Sequence, residues 1–206
     1  MPKYNSTLNI SNIFAIVFIC FFSLSQTLFC HPHVFVEAKT TFQFDKEGLA
    51  SINVHWTFDE LFSTMIINDY DKNKNKAFES KEIKAIKDEA FSNLKNHHYF
   101  TYVKINQKSF DVSYVTNFHA AIKNDRIIYT FCIPCHVKAG QKNKEISVAY
   151  YDESYFIALE FAEKVPVNFQ DGSHIEKTYR VKVNKNDSFD TGTFNKELIM
   201  HFKKKG

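Results

Sequence analysis

Glycine and proline are scarce in this chain, 5 and 4 of 206 residues. That scarcity excludes a collagen-like, low-complexity or disordered polypeptide. Cysteine is as rare as proline, at 4, and two of these, Cys20 and Cys30, fall in the first thirty residues. The chain therefore lacks the dense disulfide framework of small secreted scaffolds. There is no Gly-rich phosphate loop, no Ser-His-Asp order and no paired-carboxylate motif, so nothing supports a hydrolase or a kinase and the chain reads as a non-enzyme. A net charge of only +3, with no basic stripe interleaved with aromatics, gives no basis for nucleic-acid binding. Apart from one N-terminal stretch, no apolar run is long enough to span a bilayer.

Hydrophobic residues, in contrast, make up 44% of the chain and aromatics 16%, including 22 Phe and 10 Tyr. This is enough for a substantial core in one domain. The N-terminal stretch has a cation at Lys3, a continuous apolar core over Ile13–Phe22 and a polar exit through Ser23, Ser25 and Gln26. It reads as an export signal over residues 1–30, leaving one periplasmic domain over 31–206. The alternative is a retained membrane anchor. Phe29 before Cys30 fits neither a small-residue cleavage site nor a lipoprotein site well.

Cleavage after Cys30 would make His31 the first residue. Its α-amine and imidazole, with the second imidazole of His33, concentrate metal-ligating nitrogen in His31-Pro32-His33. Such a donor set suits zinc, nickel or copper. The competing reading is a strand start in which Pro32 blocks pairing along an edge.

The residues that follow alternate with period two. Val34, Val36, Ala38, Thr40, Phe42 and Phe44 share one face, and Ala50, Ile52, Val54, Trp56 and Phe58 share one face of a second run. Asp45-Lys46-Glu47-Gly48 between them suits a type I turn closed by a left-handed Gly48. That turn sets Phe44 opposite Ala50, Ala38 opposite Trp56 and Val36 opposite Phe58. The same register carries Phe35 to Asp59 and the chain start to a strand-to-helix corner, which adds Asp59 to His31 and His33 as a candidate ligand. His55 falls opposite Lys39, whose charge disfavours a metal there.

Two helical stripes follow, Leu61/Phe62/Met65/Ile66 and Ile83/Ile86/Ala90/Leu94. Between them, Asp71 to Glu82 fits a twelve-residue calcium loop. Asp71, Asn73 and Asn75 stand at positions 1, 3 and 5, the Ala77 carbonyl at 7, Glu79 at 9 and Glu82 at 12. Position 6, normally Gly, is Lys76, and four lysines dilute the negative charge, so any calcium binding is weak. A loop kept only as a rigid connector is the alternative.

Strands are predicted at Phe100–Asn106, Phe110–Asn117, Arg126–Ile133, Glu145–Tyr150, Tyr155–Ala162 and Glu176–Val183. The fold class is therefore α+β, a mainly antiparallel, sandwich-like β domain with an EF-hand-like helix-loop-helix inserted over residues 58–96. Cys132-Ile133-Pro134-Cys135-His136 matches a c-type haem string, but on a strand rather than a helix. A Cys132–Cys135 disulfide, a redox pair and a thiolate metal site are the other readings.

Together, the HPH start after a signal peptide, Trp56-Thr57-Phe58-Asp59-Glu60, the EF-like loop and Tyr151-Asp152-Glu153-Ser154-Tyr155-Phe156 resemble the bacterial periplasmic family called domain of unknown function 1007. The resemblance implies an accessory or substrate-binding component of a nickel, cobalt or zinc transport system, partnered by a membrane metal permease. Cys132/Cys135 and Lys76 depart from that family's pattern.

Overall fold

The computed structural model describes residues 33–183 and 196–206. Residues 1–30, predicted to be an export signal, and His31 lie outside the described residues. Among those described, strands dominate and form two sheets. The first sheet has the order β5-β6-β2-β1-β8, with β9 also paired to β1. Its members are β1 (Val34–Phe44), β2 (Gly48–Phe58), β5 (Thr116–Lys123), β6 (Arg126–Lys138), β8 (Ile157–Phe161) and β9 (Val167–Gln170). The second has the order β10-β11-β7-β3-β4, from β3 (Thr101–Ile105), β4 (Lys108–Phe110), β7 (Lys144–Tyr150), β10 (Ile175–Val183) and β11 (Lys196–Lys204).

The β1–β2 hairpin follows the register that its pattern dictates. Val36 pairs with Phe58, Ala38 with Trp56 and Phe42 with Ile52. Val36, Ala38, Phe42, Val54 and Trp56 are all buried on one face. A slip by one residue would expose this whole set, which is why the pattern specifies the register. At the turn the expectation fails by one residue. A bulge between Gln43 and Phe44 pairs Phe44 with Leu49 rather than Ala50. Gly48 is nearly extended, with φ +157°, instead of left-handed. Glycine is required for a different reason: a Cβ there would lie 2.3 Å from the Val137 carbonyl oxygen. The Asp45 carboxylate closes the turn by accepting from the amides of Glu47 (2.8 Å) and Gly48 (2.9 Å).

β1 is an interior strand. Along its second side β8 and then β9 run parallel to it, at Val34–Ala38 and Thr40–Gln43. The chain between them stays attached through the Ala162 amide to the Ala38 carbonyl and the Thr40 amide to the Pro166 carbonyl, both 2.9 Å. β8 and β9 thus behave as one edge strand interrupted at Glu163–Val165.

One core joins the sheets. Phe44 of β1 meets Phe202 of β11 edge-on at 5.4 Å, and Tyr150 of β7 meets Phe161 of β8 at 5.1 Å. The buried Thr40 and Tyr150 hydroxyls bond across the interface at 2.7 Å.

Between β2 and β3 the chain inserts α1 (Glu60–Tyr70), α2 (Ser80–Glu89) and a 3₁₀ segment, Phe91–Phe100. The insertion is tied to the first sheet. The Ile127 amide donates to the buried Ser63 hydroxyl at 2.9 Å, and Arg126 Nε donates to the Phe58 carbonyl. The second helix ends at Glu89, earlier than its apolar stripe implies. The chain then leaves helical geometry at His97, and His98, Tyr99 and Phe100 have φ of 51°, 50° and 46°. This sequence of left-handed residues turns Tyr99 and Phe100 into the core while His98 stays exposed.

The predicted strand at Phe110–Asn117 is not one strand. Asp111–Val115 is irregular, and pairing resumes at Thr116. β6 runs on through Pro134 to Lys138, helped by a register shift against β2 between Leu49 and Ser51.

Candidate functional site

Three segments far apart in sequence meet at the start of β1. The His33 and Val34 amides both donate to the Phe156 carbonyl, at 2.9 and 3.3 Å. The His33 imidazole lies 5.2 Å from the Phe156 ring. From the other side, the Asp59 amide donates to the Phe35 carbonyl at 2.9 Å, and the Phe35 amide donates to Asp59 Oδ2 at 2.7 Å. His33, the Asp59 corner and the Tyr151–Phe156 loop are therefore one structural unit.

Asp59 has a defined task here. Its Oδ1 accepts from the Phe62 amide at 2.9 Å as the N-cap of α1, where a carboxylate satisfies an amide that has no helical partner. Both oxygens are thus engaged by backbone amides. Asp59 locks the end of β2, the start of β1 and the first turn of α1 together, and it orients the corner from behind.

The Tyr151–Phe156 loop is held by Asp152, which is 3% exposed. Its carboxylate accepts from the Ser154 amide (2.9 Å), the Ser154 hydroxyl (2.7 Å) and the Ile157 amide (3.0 Å). This small turn fixes where Phe156 meets His33. Phe156, beside the imidazole, and Phe35, two positions along the chain from His33, are both exposed.

Among the described residues no three His, Cys, Asp or Glu side chains gather closely enough to hold a metal ion. His33 contributes one imidazole at the corner. Any fuller set of donors has to come from His31, outside the described residues, or from a partner.

In the polar loop after α1, Asp71 is 5% exposed, and its two oxygens accept from the amides of Asn75 (3.2 Å) and Lys76 (3.0 Å). Asn73 Oδ1 accepts from the Asn75 amide at 3.0 Å and Asn75 Oδ1 from the Ala77 amide at 2.8 Å. Glu82 spans the loop, accepting from the amides of Lys72 and Glu79, both at 2.8 Å. Asn73 Nδ2 donates to Glu79 at 2.8 Å. Lys76 sits in the left-handed region at φ +62°, where a side chain costs on the order of 1 kcal/mol. Its ammonium reaches Asp125 at 3.0 Å in solvent, a pair of small energetic weight.

His55 pairs across the sheet with Lys39. Burial first, and then the Lys39 charge, lower its pKa, so it is neutral at pH 7. Cys132 and Cys135 are both free thiols on β6. Cys132 pairs with Asn53 of β2 and Thr116 of β5, on the alternate positions to the buried Phe131 and Ile133. Cys135 packs partly against the core, and burial, followed by the neighbouring Cys132, pushes its thiol up to about 12.

A groove of about 510 Å³ lies on the outer face of the second sheet, where Tyr102 and Tyr151 stack at 3.7 Å and His98 Nδ1 lies 3.3 Å from Asp111. The sequence gives no warning of this groove, because it depends on the left-handed turn at His98.

The structure thus defines a two-sheet β protein with a helical insertion and a corner where His33, Asp59 and Phe156 meet. The chain belongs to the family described as "Protein of unknown function (DUF1007)", which matches residues 16–201. It is 32% identical over 102 residues to an "Uncharacterized 15.5 kDa protein in trpE 3'region" of Spirochaeta aurantia, covering 50% of this chain and 72% of that protein. It is 28% identical over 150 residues to an uncharacterized protein of Haemophilus influenzae, covering 71% of this chain and 70% of that one.

Proposed function

We propose that this chain is an exported metal-binding accessory or substrate-binding component of a transition-metal transport system, working beside a membrane permease for nickel, cobalt or zinc. Residues 1–30 act as the export signal, and residues 31–206 remain in the periplasm as one binding domain without a catalytic role. The observation that carries this reading is the convergence of His33, Asp59 and the Tyr151–Phe156 loop on one corner. His33 and His31, with the α-amine released by cleavage, supply nitrogen donors suited to zinc, nickel or copper. Asp59 holds the strand that presents them. The exposed Phe35 and Phe156 give a partner an apolar surface beside the donors.

The test is calorimetric titration of the processed protein with zinc and with nickel, alongside a His31→Ala/His33→Ala variant. The variant should lose at least about tenfold in affinity, the change expected for about 1.4 kcal/mol. Equal affinities would remove the site.

A calcium-stabilised interaction module is the second reading, favoured by the left-handed Lys76 and by Asp71 accepting from two loop amides. It requires a melting temperature that rises with calcium, ignores zinc and loses its calcium response in Glu82→Gln.

A further inference from the structure

Among the described residues, two buried side-chain polar atoms have no hydrogen-bond partner: Trp56 Nε1 and the Tyr129 hydroxyl. These residues are direct cross-strand partners on β2 and β6, 1% and 4% exposed, and both line one cavity of about 80 Å³. The rest of the lining is carbon, from β-sheet residues such as Val36 and Phe58 and from Phe62, Phe91, Leu94 and Phe100 of the insertion. An unmade hydrogen bond on a buried donor costs about 1–3 kcal/mol. Two such losses on cross-strand neighbours that both line one cavity call for a ligand.

Neighbouring rings hold these side chains in place. Trp56 is set edge-on against Phe131 at 4.9 Å, and Tyr129 against Phe58 at 4.9 Å and Phe118 at 5.3 Å. The half-buried Phe62, Leu94 and Ile157 form the side of the cavity nearest solvent, between the sheet and the helical insertion.

An indole N–H only donates, and a phenol donates most readily. The matching group is a pure acceptor with two lone pairs. A water molecule is a poorer match, because its own protons would find at most the Tyr129 oxygen, whereas buried water usually makes about three hydrogen bonds. We infer that the cavity is a binding site for a small uncharged apolar molecule carrying a carbonyl oxygen, which accepts from both Trp56 and Tyr129.

Trp56 is the sole tryptophan of the chain, so its indole N–H gives a single NMR signal that reports on this site alone. The experiment titrates the folded, ¹⁵N-labelled full chain with cyclopentanone and, separately, with cyclopentane, which has a similar ring and no acceptor. The indole proton should move downfield and saturate with the ketone, with an affinity about tenfold above that for the hydrocarbon, as two net hydrogen bonds provide. In Tyr129→Phe, whose remaining spectrum reports the fold, that advantage should shrink to about threefold. Three results would each overturn the inference: no saturable shift, equal affinity for the two probes, or a long-lived water at the indole that the ketone does not displace.

Discussion

Replacing Asp59 by alanine removes two hydrogen bonds at once, and the structure sets the size of the loss. The cap on the Phe62 amide is worth about 1 kcal/mol. The bond from the Phe35 amide contributes about 1 kcal/mol net, without a further orphan penalty because Phe35 is exposed and water can reach its amide. The sum is about 2 kcal/mol. For a domain of this size each kcal/mol moves the melting temperature by about 2–4 °C, so Asp59→Ala should melt about 4–8 °C lower. Asp59→Asn separates the two bonds. Its side-chain oxygen caps as well as a carboxylate, but the amide group cannot accept from Phe35, so about half of the loss should return. Because both carboxylate oxygens serve backbone amides, Asp59→Asn should leave zinc and nickel affinity at the parent value. Circular dichroism melts and calorimetric titration check the two halves. Melting of Asp59→Ala within about one degree of the parent, or an Asp59→Asn variant as unstable as the alanine one, would refute this account of the corner.

Gly48→Ala would press a methyl group against the Val137 oxygen and the Ala139 nitrogen, at 2.3 and 2.6 Å. It should destabilise by about 1–3 kcal/mol, read as a lower urea midpoint with unchanged slope; an unchanged midpoint contradicts the turn geometry. Lys76→Gly relieves the left-handed strain and should stabilise by about 1 kcal/mol, seen as a higher melting temperature and absent if that backbone is not left-handed. Cys135 holds its proton in the folded chain because burial and Cys132 raise its pKa to about 12. Its contribution to stability is therefore intact below the ordinary cysteine value of about 8.5 and is lost as pH climbs from there through the folded pKa. In reduced native protein at neutral pH, iodoacetamide should spare Cys135 until unfolding; mass mapping that finds it alkylated early would count against this.

The hairpin register was legible because two physical signals coincide there, a period-two apolar face and a turn that closes at Asp45. The bulge at Gln43/Phe44 was not legible. Nor was the close approach of Val137 and Ala139 to Gly48, residues about ninety positions away in the chain. Asp59's position was readable by extending the register, but its role as a cap and clamp was not. Those bonds depend on the Phe35 amide being left without a β2 partner where the helix begins. β11 carries an alternating set, Leu198, Met200 and Phe202, but Ile199 blurs it and lysines bracket it. β9 has only four residues, too few for a pattern. The Trp56/Tyr129 cavity has no sequence signature at all, since an orphaned donor is defined by what fails to surround it.

The parallel pairing of β8 with the first strand also governs when the corner can exist. Residue 34 is joined to residue 157, so a chain synthesised from its N-terminus exposes β1 along one whole side until most of its length has followed. Contacts of such separation form late because the loop must close first. The His33 corner is therefore a checkpoint on completeness: a fragment ending before β8 can build the hairpin, but it cannot seat Phe156 against His33. A binding activity that depends on this corner would thus belong only to chains completed through β8.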